Sequence, residues 1–189
     1  MKKTISLIII AFCISGIANA QAFTKESFAA NLGFGFGWYS YGYSVSSFPA
    51  ITFSAEKGVW DVEDVGVISL GGTVGWKAAK YDWPFLNDKY EYKWTDFIVA
   101  ARGTLHPQLI DNDKVDLYGG VALGVRFETY KYYLPNYNSE ATEYTDNNAN
   151  PLLGIYVGGR YYFSDHFGVF AELGYGLGYL TIGASYKIP

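Results

Sequence analysis

Leu117-Tyr118-Gly119-Gly120-Val121-Ala122-Leu123-Gly124-Val125-Arg126-Phe127-Glu128 decides the fold. Leu117, Val121, Leu123, Val125 and Phe127 fall on one parity; Tyr118, Gly120, Ala122, Gly124, Arg126 and Glu128 fall on the other. Side chains change face at each residue of a strand, so this stretch has one apolar and one polar face. A helix would need a period of 3.6, and no window of useful length here has one.

The same alternation recurs along the chain. Leu32, Phe34, Phe36 and Trp38 alternate with glycines, and Ile51, Phe53 and Ala55 with Thr52, Ser54 and Glu56. Ile68, Leu70, Val74 and Trp76 form the third series. Phe97, Val99, Ala101 and Leu105 form the fourth, with Ile98 out of pattern. Segments around Ile155, Leu173 and Ile182 complete the set. This predicts an all-β chain: an eight-stranded antiparallel up-and-down barrel with strands of roughly nine to twelve residues, a length that suits a tilted strand crossing a bilayer. Turn chemistry lies after Lys57-Gly58, at Asn112-Asp113, at Ser164-Asp165 and at Gly176-Leu177-Gly178. The stretch from Tyr132 to Pro151, polar and rich in Asn, is expected to be the longest connection.

Composition agrees. The 189 residues are 50% hydrophobic and 19% aromatic but only 17% charged, with 22 Gly, a β-rich signature in a single domain. Met1-Lys2-Lys3, an apolar Ile5 to Ile17 and Ala18-Asn19-Ala20 read as a secretory signal peptide over 1–20, leaving the barrel domain as 21–189. A membrane anchor is disfavoured by the short apolar run, and a lipoprotein by Phe12 before Cys13. Removing the leader leaves 12 basic and 18 acidic residues, net −6, and no Met or Cys. Disulfides, thiolate catalysis and thiolate metal sites are thereby excluded, and the acidity argues against nucleic acid. No run of about 18 apolar residues follows the leader, so a chain that enters a membrane must do so as a closed barrel.

The direction of the apolar face separates a soluble lipocalin-like barrel from a membrane barrel. Arg102, Arg126 and Arg160, the only arginines, all lie on the polar face of strands. That face is otherwise Gly, Ala, Ser and Thr, which suits a narrow interior. Aromatics crowd the strand ends as in an interfacial girdle: Trp38, Tyr39, Tyr41, Tyr43, Trp83, Tyr92, Trp94, Tyr130 and Tyr132 on one side, Phe163, Phe167 and Tyr186 on the other. The polar face is expected to point inward. There a guanidinium needs carboxylates, and the interior ionic network is expected to contain Arg102, Arg160, Glu172 and Glu56 in one cluster and Asp96, Arg126 and Glu128 in a second. Arg160 and Glu172 are expected to meet as a diagonal cross-strand pair.

The segments Asp116-Leu-Tyr-Gly-Gly-Val-Ala-Leu-Gly124 and Gly159-Arg-Tyr-Tyr-Phe-Ser-Asp-His-Phe-Gly-Val-Phe-Ala-Glu-Leu-Gly-Tyr-Gly176 resemble strand–turn–strand motifs of small bacterial outer-membrane barrels of the OmpX kind and of the OmpA transmembrane domain. The resemblance implies both chain ends in the periplasm, outer-membrane lipids and the barrel-insertion machinery as partners, and a bacterial outer-membrane location. Such barrels end in an aromatic residue; here Ile188-Pro189 stands instead.

Chemistry-bearing residues are sparse. In the implied orientation His106 and His166 fall at the periplasmic rim, expected to face solvent, away from the outer surface where barrel enzymes work. Asp111 with Asp113, and Asp61 with Glu63 and Asp64, make acidic turns that could hold a weak cation. Gly33-Phe34-Gly35-Phe36-Gly37 lacks the strand–turn–helix context of a nucleotide loop. No catalytic residue, cofactor or metal site is expected. The reading is a monomeric, non-enzymatic envelope barrel with a structural or surface-contact role. Its outer loops, carrying Tyr41, Tyr43, Phe48, Trp83, Phe85, Glu140, Glu143 and Asp146, would meet an extracellular ligand. A narrow pore is the alternative, an outer-membrane enzyme or soluble binder the lesser ones.

Overall fold

A computed structural model describes residues 22–37, 45–85, 88–134, 142–175 and 179–188. The alternating segments become strands β1 (Phe28–Phe36), β2 (Val45–Ser47), β3 (Ala50–Val62), β4 (Gly66–Phe85), β5 (Asp88–Pro107), β6 (Val115–Leu134), β7 (Thr142–Tyr162), β8 (Phe167–Gly174) and β9 (Leu180–Ile188). β2 and β3 both pair with β4 and are two parts of one barrel strand, parted at Phe48-Pro49. Every pairing is antiparallel. β1 pairs with β3 and with β9, Phe28 facing Ile188, and β4 with β5 joins the remaining edges. The eight barrel strands therefore close into a ring, which leaves no sheet edge around its girth.

Both described chain ends sit at one end of the barrel, with the turns at 63–65, 108–114 and 163–166. The first of these falls later than expected. β3 runs on past Gly58 through a bulge between Gly58 and Trp60 and turns only at Glu63–Val65. Asp64 has a φ of 61°, and Gly66 a φ of 146° where a Cβ would lie 2.0 Å from the His106 carbonyl oxygen. Only glycine fits there. The other end differs more from expectation. β4 to β7 are 20 or 21 residues long, against 8 to 13 in β1, β3, β8 and β9. Residues 142–151, expected in a long loop, belong to β7 and pair with β6. A four-stranded wall thus rises on one side of the ring. The Gly176–Gly178 corner, residues 38–44, residues 135–141 and Pro189 lie outside the described residues.

The register stacks side chains in rows across β4, β5, β6 and β7. Outward rows read Ile68–Leu105–Gly119–Val157, Leu70–Gly103–Val121–Ile155, Gly72–Ala101–Leu123–Leu153, Val74–Val99–Val125–Pro151 and Trp76–Phe97–Phe127–Ala149. Above them come Ala78–Thr95–Thr129–Asn147 and Lys80–Lys93–Lys131–Thr145. Leu123, Ile155 and Val157 are each more than 60% exposed. Five apolar rows, about 6.7 Å apart along strands tilted by about 40°, make a band roughly 25 Å tall. Phe163, Phe167 and Tyr186 are exposed near the turn end.

The inward rows are polar and buried. Ser54, Glu56, Ser69, Asp96, Arg102, Thr104, Arg126, Arg160 and Ser185 all face the lumen. Large and small residues alternate inside: a Cβ on Gly158 would lie 2.6 Å from the Tyr118 ring, and one on Gly120 2.6 Å from the Tyr156 hydroxyl. This barrel is apolar outside and polar inside, the reverse of a soluble barrel. Ile98, out of pattern in the sequence, is buried inside beneath the wall, in the row Gly75–Ile98–Arg126–Asn150.

The lumen network and the outer wall

Parity brings the charged residues of the lower lumen together. Arg160 on β7 reaches across the barrel, donating Nη1 to Asp116 Oδ2 at 2.7 Å, Nη2 to Glu56 Oε1 and Nε to Asn31 Oδ1 at 3.2 Å. Its guanidinium lies 4.3 Å above the Tyr118 ring. Arg102 on β5 pairs with Glu172 of β8 at 2.7 Å and stacks on Tyr156 at 3.8 Å. The register sets Arg160 and Glu172 as the expected diagonal neighbours, Arg160 facing Phe170 and Glu172 facing Gly158, but they do not form an ion pair with each other. Each reaches across the lumen instead. Thr104 links the two ion pairs, donating to Glu56 Oε2 at 2.6 Å and accepting from the Tyr156 hydroxyl at 2.7 Å.

Asp116 and His106 complete this network, and the sequence reading placed neither in it. His106 is not a solvent-facing rim residue. It is 1% exposed, with Nδ1 donating to Asp116 Oδ1 at 2.8 Å and Nε2 3.0 Å from Ser69 Oγ. β5 continues to Pro107, so His106 keeps the inward parity of Arg102 and Thr104. That parity was the available signal, as it was for Asp116, which precedes Tyr118 on the polar face. Phe23 carried no such signal. It lies before the first strand, 1% exposed, and stacks on His106 with ring centroids 3.9 Å apart. Lys187 Nζ donates to the Ala22 carbonyl at 2.9 Å, holding this segment in the barrel mouth. His166, by contrast, is exposed and 3.0 Å from the Lys187 carbonyl oxygen.

Ser69, His106 and Asp116 stand in the order of a nucleophile, base and orienting acid. The polarity is wrong for that work. The Ser69 hydroxyl donates to Glu56 Oε2 at 2.9 Å, so it has no proton to give to His106. Ser69 is 0% exposed and Phe23 covers the imidazole, so no substrate carbonyl reaches the hydroxyl. Further along the lumen, a cavity of about 60 Å³ beside Arg102, Ser54 and Thr73 has room for a few waters.

The second expected cluster sits where the wall begins. Arg126 Nη1 lies 3.7 Å from Glu128 Oε1, and Glu128 Oε2 accepts from Asn150 at 2.8 Å. Asp96 occupies the same inward row as Glu128, together with Lys77, 3% exposed, which the sequence reading left out. Above this row the inward face changes character. The next two rows are Ala79–Trp94–Tyr130–Asp146 and Tyr81–Tyr92–Tyr132–Tyr144. Tyr92, Trp94, Tyr130 and Tyr132, expected in the lipid girdle, therefore face inward. The girdle role at this end falls to Trp76, Phe97 and Phe127, which are exposed on the outer face. Of the expected loop residues, Phe48 is exposed and Asp146 lies on β7. Tyr41, Tyr43 and Glu140 lie outside the described residues, as do the side chains of Trp83, Phe85 and Glu143.

Neither a family model nor a curated protein matches the sequence. Among solved structures the chain is similar to Ail, the attachment invasion locus protein of Yersinia pestis, solved in complex with the heparin analogue sucrose octasulfate. The identity is 12%, with 86% of this chain and 97% of that chain covered, at a TM-score of 0.47. It is also similar to the N-terminal β-barrel domain of Pseudomonas aeruginosa OprF, at 14% identity, 87% and 98% coverage and a TM-score of 0.46.

Proposed function

We infer that this chain is a non-enzymatic integral protein of a bacterial outer membrane, whose wall beyond the bilayer makes contact with the cell's surroundings. One observation carries the reading: apolar rows face outward in a band of bilayer height, while arginines and carboxylates are buried within. Lipid is the solvent that makes such a distribution stable, since backbone groups are satisfied by ring closure and the charges by one another. In this reading the turn end faces the periplasm, the long strands project outward, and the barrel-insertion machinery delivers a monomer whose leader has been removed after Ala20. Nucleic acid has no place in it.

Surface labelling of whole cells tests the reading. A tag placed near Asn138 should react in intact cells, and a tag at Asp113 only after permeabilisation. The reverse pattern would invert the orientation, and labelling of neither would remove the surface role. The pore alternative is disfavoured by the filled lumen: Arg160, Glu56, Asp116 and Phe23 occupy its lower part. Planar-bilayer recording should find no stable conductance, and steady channels would revive it.

A further inference from the structure

We propose that the inward face of the wall is a binding site for uncharged oligosaccharide. The proposal names the ligand of the surface-contact reading above and rests on it. Two rows of aromatic side chains share this face. Tyr92 lies at their centre, its ring 4.8 Å from Tyr132, 6.1 Å from Trp94 and Tyr81 and 6.2 Å from Tyr130. The interplanar angles are 16° to 39°, and three of the four pairs are stacked, so the rings pack into one aromatic row. Directly below, Trp94 and Tyr130 border a cavity of about 480 Å³ with Asp96, Glu128, Asp146 and Asn148. That volume lies within the range of small-molecule sites.

The chemistry selects the ligand class. A pyranose offers a flat patch of C–H groups to an aromatic face and pairs of adjacent hydroxyls to planar polar groups. Carboxylates and primary amides answer such pairs, since each presents two acceptors or an acceptor and two donors. This cavity has both parts, with the Asn148 amide and the Asp96, Glu128 and Asp146 carboxylates on its lining, and two of those carboxylates are held by amides, one of them Asn150 from the row below. Asn148 donates to Asp146 at 3.1 Å and Asn150 to Glu128 at 2.8 Å. Charge removes the other candidates. The cationic side chains here, Lys77 and Arg126, are buried beneath the cavity, while Asp146 stands exposed at its opening, which repels sulfated or phosphorylated ligands. A quaternary amine needs rings on several sides of it. Here the rings run near-parallel along one sheet.

The test uses the barrel in detergent micelles and three uncharged trisaccharides, maltotriose, cellotriose and chitotriose, with sucrose octasulfate and choline as charged counterparts. Saturable binding of at least one trisaccharide is expected by calorimetry. It should weaken about tenfold or more in Trp94→Ala and in Asn148→Ala, and stay unchanged in Trp60→Phe at the turn end. Absence of binding by all three, retention of full affinity in both wall variants, or tighter binding of sucrose octasulfate or choline would overturn the proposal. Circular dichroism on each variant separates lost binding from lost fold. The micelle assay is independent of cellular location, so failure here leaves the labelling result standing, and failure of labelling leaves this one interpretable.

Discussion

The lower lumen and the outer wall share four strands, β4 to β7, and one alternation, yet they treat inward side chains in opposite ways. Below Thr73 the ring is complete, and most inward side chains are shut off from bulk water. There Arg160 is 2% exposed, and each of its nitrogens has an acceptor. Above Lys77 the short strands β1, β8 and β9 have ended. Inward side chains there keep partial contact with solvent: Tyr92, Trp94 and Tyr130 are half-buried and Tyr144 is exposed. Parity decides direction, but closure decides environment. The energetic consequence is large, because a buried charge that loses its partner cannot fall back on water.

The sharpest way to break this comparison is to remove one charge from each region. Arg160→Ala strands Glu56 and Asp116 in the sealed lumen and should cost about 3–5 kcal/mol. Lys93→Ala on the wall removes half of an exposed contact with Glu91 and should cost less than about 1 kcal/mol. Urea unfolding in detergent, followed by tryptophan fluorescence, measures both. Equal midpoints would mean that the lumen is as wet as the wall, and the contrast between them would fall.

A second experiment sharpens the boundary on the outer face. Leu123 sits in the middle of the five apolar rows, and Leu123→Arg should cost about 2–4 kcal/mol in a bilayer. Thr95 lies one row beyond the aromatic row of Trp76, Phe97 and Phe127, and Thr95→Arg should cost about 0–1 kcal/mol. Folding into vesicles gives both values. A costly Thr95→Arg would raise the membrane edge by a row and draw the lysine row toward it.

These contrasts mark what was legible in the residues. The alternation around Leu123 and Ile155 was enough for the strands and their two faces, because each is a local property of a period-two chain, while the outward direction of the apolar face came from the arginines and small residues opposite it. The alternation also put all three arginines on the polar face. Strand length was less legible: Asn147-Asn148-Ala149-Asn150 has loop composition, yet pairing with β6 overrides it, as tertiary context often overrides propensity. Partner choice was least legible. Arg160 meets Glu56 and Asp116, 104 and 44 residues away, across a lumen whose width and shear no local pattern states. His106 was misplaced because it closes its strand and was assigned to the solvent-facing rim, although its parity points inward. Phe23 was missed because a cap that follows no alternation leaves no period to read.

The smallest expected effect belongs to the wall's own ion pairs and is the most direct probe of its solvent exposure. Glu91 lies 2.5 Å from both Lys80 and Lys93, on the stretch of β5 beyond the apolar rows. Hydrogen bonds from Lys80 and then Lys93 favour the carboxylate and hold its pKa below the usual glutamate value. A carboxyl lowered on folding stabilises the folded state above its unfolded pKa. That contribution fades as pH falls through the folded value. Carbon-13 titration of the Glu91 side chain should therefore give a midpoint on the acid side of an unstructured glutamate. Because the group is solvated, the difference should shrink when salt is raised from low ionic strength to about 1 M, where the screening length falls to about 3 Å. The accompanying stability change should stay below about 1 kcal/mol. A midpoint that ignores salt would mean that Glu91 is enclosed, and the wall would then share the sealed character of the lumen beneath it.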